Sequence, residues 1–384
     1  MLIAQRFTSP VIEFLKANDY QARFGDVEVY LAREFGFCYG VDKSVKIAFE
    51  TRKSYPDRRI FITAEIIHNQ WINQSLRNMG IGFLQSDYIP DGTPLSALTP
   101  RDVVILPAFG APTPLVEALK HIGCLLVDST CGSVVHVWKR VERFAREGYT
   151  SIIHGRRRHE ETDATRSRVL QCGGHYLIVR DLNDAQYVCD YMLKGGDRTA
   201  FLERFRHAVS PGFDPDRHLE RVGTANQTTM MSSESLEIMQ MFNRVMEIKH
   251  GPQALKDYVR SFNTICRATQ DRQDAARALV EKNLDVMLIV GGFNSSNTAH
   301  LQEIGSRYCP SYHIADSDCI VSAEEIVHKP YDSREPVRVC DWLPAGPIRA
   351  GFTGGASTPD SLIGDAIKRL LELKGVELPV EFRT

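Results

Sequence analysis

The chain has 384 residues and 43% hydrophobic content, enough for two or three α/β units with real cores. A net charge of −2 and a sequence pI near 6.6 give no preference for nucleic acid or an anionic membrane as main partner. No apolar run approaches the roughly 20 residues of a membrane helix. The N-terminus lacks a secretory pattern, and Glu13, Asp19 and Asp26 suit an organelle transit peptide poorly, so a cytoplasmic protein is expected.

In chain order, residues 1–29 read as an extension ahead of the first motif, with TSPVIEFLKANDY as a short amphipathic helix capped by Thr8 or Ser9. Short β-rich runs then alternate with helical stretches. Strands are expected at 59–63, 102–107, 125–128, 151–154, 176–179, 285–290 and 312–315. Helices are expected at 69–79, 113–122, 134–147, 234–250, 271–282, 298–308 and 360–373. This alternation implies an α/β fold of small parallel sheets with right-handed crossovers. Three α/β units are read, at 30–131, 132–261 and 262–384, with an irregular, charge- and Pro-rich insertion near 197–221.

Nine cysteines without tight framework spacing suggest mostly unpaired thiols in a reducing compartment. Cys124, Cys172, Cys189, Cys309, Cys319 and Cys340 read as small semi-buried hydrophobes. Three others stand at strand-to-helix junctions: Cys38 in EFGFCYGVD, Cys131 in VDSTCGSVV and Cys266 in FNTICRATQDRQ. Their separation rules out a local metal loop. Three thiolates from three units would leave one corner of a metal centre without a protein ligand, as in an iron–sulfur cluster with an open, reactive iron. Glycines at 36, 40 and 132 let backbone crowd a bulky cofactor. Buried thiols explain the same residues without any metal, and structural zinc would want four ligands, usually with CxxC pairs that are absent here.

The other chemistry-bearing segments follow strands, where parallel α/β sheets bind ligands. GGFNSSN at 291–297 and GFTGGASTPD at 351–360 place glycines, hydroxyls and amides at helix starts, where N–H groups and the dipole suit phosphate. Ordinary N-capping uses the same residues; two cradles in one unit favour a diphosphate. HGRRRHEETDAT supplies His154, His159, Glu160, Glu161 and Thr165 without HExxH spacing. Composition reads it as a solvated charged loop, while a histidine two residues before a carboxylate suits anion binding joined to proton donation. NQTTM at 226–230 adds hydroxyls before a helix, and His68 in EIIHNQ precedes another, a common place for a capping or core histidine.

Taken in order from GFCYGVD to GGASTPD, these motifs resemble the 4-hydroxy-3-methylbut-2-enyl diphosphate reductase family, the last enzymes of the methylerythritol phosphate route to isoprenoids. PAFGA, QYVCDY, GFDPDR, ANQTTM and GGFNSSNT are similar to its cyanobacterial and plant-plastid branch. The resemblance implies a pseudo-threefold cloverleaf of three α/β units around one central 4Fe–4S cluster, with Cys38, Cys131 and Cys266 as ligands and one open iron. It implies diphosphate binding by His68, His159, Ser295, Ser296, Asn297 and Ser357. It makes Glu161 the proton donor, assisted by Thr228 with Gln227 beside it. Two departures are visible: Phe109 replaces a histidine that many bacterial members carry, and Gly132 replaces a proline after the second cysteine.

The implied chemistry is reductive dehydroxylation of an allylic diphosphate to isopentenyl and dimethylallyl diphosphate. GxGxxG is absent, so electrons are expected from a separate ferredoxin- or flavodoxin-type protein. A monomer or weak homodimer is expected, with no nucleic-acid or membrane partner. A zinc-dependent diphosphate-ester hydrolase using His159 and Glu161, and an iron–sulfur sensor, are the alternatives.

Overall fold

The computed structural model describes residues 7–379 and 382. The chain forms two compact units. A terminal unit takes Met1–Asp42, Ile67–Asn73 and Arg267–Thr384, and a central unit takes Lys43–Ile66 and Gln74–Cys266. No helix among the described residues is long and apolar enough to cross a membrane.

The terminal unit is built on a five-stranded sheet in the order Gln21–Phe24, Val27–Leu31, Ile348–Gly354, Val286–Val290, Ser311–Ile314. The first two strands form an antiparallel hairpin in which Phe24 faces Val27, and Gly25 supplies the positive φ of the tight turn. The remaining pairings are parallel. Val286–Val290 is buried at every residue, as a strand covered on both faces must be. Val11, Ile12 and Leu15 of the helix Pro10–Ala17 join Ile363 and Ile367 of the helix Asp360–Leu373 in the same core. Residues 1–29 read as an extension; the segment 10–31 supplies a helix and two strands to this unit. Ser9 is the N-cap of that first helix, but its side chain makes no capping bond.

The central unit holds two four-stranded parallel sheets. One runs Ile81–Phe83, Ile60–Ile62, Val103–Leu106, Leu125–Asp128. The other runs Val259–Ser261, Val222–Asn226, Thr150–His154, Tyr176–Val179. The architecture is thus mixed α/β with several small parallel sheets.

Two segments differ from their sequence reading. The charged HEETDAT run is not a solvated loop: it opens the helix Glu160–Gln171, whose Glu160, Glu161, Thr162, Thr165 and Ser167 are all buried. The 197–221 insertion is more regular than its composition suggests. It carries the helices Arg198–Arg204 and Pro215–His218, started by the Asp197 and Asp214 side chains, and buries Phe201, Phe205 and Phe213 in the core.

Candidate active site

Each of the three singled-out cysteines stands immediately before a helix. Cys38 precedes Tyr39–Ser54, Cys131 is the N-cap of Gly132–Arg146, and Cys266 precedes Arg267–Val280. The Val41 N–H points at the Cys38 sulfur at 3.5 Å. Backbone bonds fix all three: Cys38 N–H to the Ala356 carbonyl at 3.1 Å, Cys131 N–H to Ala108 at 3.0 Å, and Cys266 N–H to Thr228 at 3.3 Å. All three are half-buried, and among the described residues no cysteine is in a disulfide. This donor set fits a sulfur-ligated metal centre. By contrast, burial pushes the Cys189 thiol up to about 12, as expected of a core residue.

In the central unit, Thr150–His154 and Val222–Asn226 are parallel neighbours with His154 opposite Asn226. The segments leaving their carboxyl ends carry His159–Glu161 and Gln227–Thr228. Glu161 is 1% exposed. Its Oε1 accepts the Thr228 N–H at 2.6 Å, and its Oε2 accepts the Thr228 hydroxyl at 2.9 Å. His159 caps the helix, its Nδ1 accepting the Glu161 N–H at 3.2 Å. That bond places the proton of the neutral ring on Nε2, a donor suited to a phosphate oxygen. The edge of Phe109 packs on the His159 ring, centroids 5.8 Å apart and planes at 78°; the departure at 109 thus orients a histidine by contact. Gln227 is engaged at both ends of its amide: Oε1 accepts from the Arg156 N–H and the Thr162 hydroxyl, and Nε2 donates to Thr229.

In the terminal unit the two cradles are adjacent because their strands pair, with Val290 opposite Gly354. Ser295 caps the helix Ser296–Ser306, its hydroxyl accepting the Thr298 N–H and hydroxyl. Ser357 donates to the His68 carbonyl at 3.2 Å, and the Asn69 amide donates to the Ser357 carbonyl at 3.0 Å. His68, Ser295–Asn297 and Ser357 thus belong to one unit. A Cβ on Gly292 would collide with the His68 carbonyl, so glycine is required there. Asn297 is 2% exposed, and neither Oδ1 nor Nδ2 has a hydrogen-bond partner. A buried amide left unsatisfied costs about 1–3 kcal/mol.

Residues missed in the sequence reading now join the site. Asn69 also caps its helix through the Ile72 N–H at 3.1 Å; an Asn before a helical run was the signal for it. His313 donates from Nε2 to the Gly291 carbonyl at 2.9 Å, bracing the start of the first cradle.

Small parallel sheets whose helix N-termini present cysteines, hydroxyls and a buried amide define a mixed α/β protein. The model of the LytB protein family matches residues 29–371, and the chain belongs to that family. A relative from Gloeobacter violaceus is 50% identical over 96% of this chain and 88% of its own; it is named 4-hydroxy-3-methylbut-2-enyl diphosphate reductase. The relative of the same name from Microcystis aeruginosa is 46% identical over 98% of this chain and 92% of its own. A solved structure of (E)-4-hydroxy-3-methyl-but-2-enyl diphosphate reductase, described as the terminal enzyme of the non-mevalonate pathway, is 26% identical with a TM-score of 0.51. It covers 90% of this chain and 99% of its own. The Plasmodium falciparum reductase structure shares the fold, with a TM-score of 0.66, 21% identity, and coverage of 92% of this chain and 89% of its own. The zinc-hydrolase and sensor readings find no support among these relatives.

Proposed function

We propose that the chain reduces 4-hydroxy-3-methylbut-2-enyl diphosphate to isopentenyl and dimethylallyl diphosphate. The observation that carries this is 50% identity over 96% of the chain to a relative named for that activity. The allylic C–O bond breaks, the hydroxyl leaves as water, and two electrons and two protons are consumed per product.

Cys38, Cys131 and Cys266 would hold one 4Fe–4S cluster, leaving one iron without a protein ligand. The helix N-termini behind the cysteines and the Val41 N–H at the Cys38 sulfur support this assignment. When bound, such a cluster supplies electrons singly together with a Lewis-acidic iron.

Glu161 is the proposed proton donor to the departing hydroxyl. Its Oε1 accepts a backbone N–H, so a proton carried by this group would sit on Oε2, facing the Thr228 hydroxyl. A hydroxyl both donates and accepts, and Thr228 therefore follows Oε2 through both protonation states. His68, His159, Gln227, Ser295, Ser296, Asn297 and Ser357 would hold and orient the diphosphate, with the Asn297 amide finding its missing partners there. The diphosphate itself is the proposed second proton source. A ferredoxin- or flavodoxin-type protein would deliver electrons to this cytoplasmic monomer or weak homodimer.

The test is anaerobic purification with iron and acid-labile sulfide counts for the wild type and Cys131→Ser. Iron with matching sulfide in the wild type, lost in the variant, is expected. Zinc alone, or a fully loaded variant, would sink the assignment.

A further inference from the structure

We propose that Arg272 is a positioning residue for the Cys38 loop, and that its unpaired buried charge favours the anionic centre the loop would receive. The second half rests on the iron–sulfur reading given above.

The helix Arg267–Val280 buries Thr269, Arg272, Gln273 and Ala276 on one face. Arg272 is only 4% exposed. Its Nη1 donates to the Ala268 carbonyl of its own helix at 2.9 Å. Its Nη2 donates to the Gly36 carbonyl at 2.7 Å and the Phe35 carbonyl at 3.3 Å. Nε is buried with no acceptor, and among the described residues no carboxylate pairs with the guanidinium. An ion removed from water carries a penalty of several kcal/mol unless it is paired. Carbonyl dipoles offset part of that penalty and leave the charge uncancelled.

The loop it grips is otherwise tightly specified. Gly36 has φ +75°, and a Cβ there would collide with the Asp360 carboxylate. Asp360 is itself held by Lys16 at 2.8 Å. Two residues on, the Cys38 N–H is bonded to Ala356. The planar guanidinium spans two loop carbonyls and a helix carbonyl at once, which an ammonium matches poorly. One side chain therefore fixes the backbone before Cys38 and places a positive charge against the Phe35 and Gly36 carbonyls of that loop. A cluster with three thiolates is anionic and gains negative charge on reduction, so a nearby cation favours the reduced form.

The test compares wild type, Arg272→Lys and Arg272→Gln. Amide hydrogen exchange over 34–38 is measured on the metal-free proteins. Iron and sulfide counts follow, then the reduced-to-oxidised ratio at one fixed potential by paramagnetic resonance. Both variants should exchange faster over 34–38. At equal loading, R272Q should lower the ratio about tenfold, which is about 59 mV for a one-electron couple, while R272K stays within about twofold. A wild-type ratio in loaded R272Q, or wild-type exchange in both variants, would overturn the proposal. If R272Q does not load, R272K decides: loading with faster exchange supports the proposal, and failure to load with wild-type exchange overturns it. A wild type without iron and sulfide refutes the cluster reading, a separate outcome from either.

Discussion

Glu161 and Asn297 occupy equivalent places in the two units. Each is the second residue of a helix that follows a buried parallel strand, and each is almost wholly buried. Their hydrogen bonding is opposite. Glu161 has both oxygens met by Thr228, whereas Asn297 has neither end of its amide met. Folding alone satisfies the first group and leaves the second without partners, at a cost to stability. In the account proposed here, the acid is preorganised and the diphosphate completes the cradle.

The sharpest way to break this contrast is Glu161→Gln, which keeps a side chain able to bond Thr228 but removes the acid. Turnover should fall by roughly 10²–10⁴-fold with iron and sulfide unchanged, as steady-state assay of the loaded protein would show. Near-normal turnover would remove Glu161 from its role.

The next effect lies on the cradle side. Burial pushes the His313 imidazole down to about 4, so the folded protein holds this ring neutral where the unfolded chain protonates it near 6.5. Between those values the unfolded state binds more protons, and stability rises with pH. The contribution is complete above about pH 6.5, and falls by on the order of 3 kcal/mol as pH drops towards 4. Urea unfolding across that window should show the slope, and His313→Gln should flatten it. An unchanged slope in the variant would place the acid sensitivity elsewhere.

Asn297→Leu tests the open amide directly. Replacing two unsatisfied buried polar atoms with methyls should stabilise the unliganded protein by about 1–3 kcal/mol while weakening substrate binding, read as a rise in KM. Destabilisation together with an unchanged KM would mean that the amide serves the fold.

The smallest effect concerns Gly132, the first residue of its helix. A Cβ there meets nothing within 4 Å, and Cys131 before it has φ −65° and ψ 138°, values compatible with a following proline. Gly132→Pro should raise thermal stability by about 0.4–1 kcal/mol, visible as a higher Tm. A lowered Tm would show that the Gly132 N–H is needed.

The same contrast accounts for what was legible in the sequence. VMLIV at 286–290 and YLIV at 176–179 announced themselves as covered strands through continuous apolar runs. The helix Glu160–Gln171 did not, because it buries Glu160, Glu161, Thr162, Thr165 and Ser167, and no apolar stripe remains to read. VGTAN at 222–226 is weak as strand chemistry, yet Gly223 is needed where the Phe144 ring lies against it. Candidate site residues stood out where a motif concentrated chemistry, as in HEET, NQTTM and GGFNSSN. Arg272, His313 and Asn69 act through partners 236, 22 and 288 residues away, and such pairings exist only after folding.

Product and electron counting on the anaerobically purified wild type, supplied with 4-hydroxy-3-methylbut-2-enyl diphosphate and a one-electron reductant, tests the proposed reaction. Isopentenyl and dimethylallyl diphosphate are expected, with the diphosphate intact and two electrons consumed per molecule formed. Release of inorganic diphosphate with the alcohol retained and no reductant consumed would contradict it.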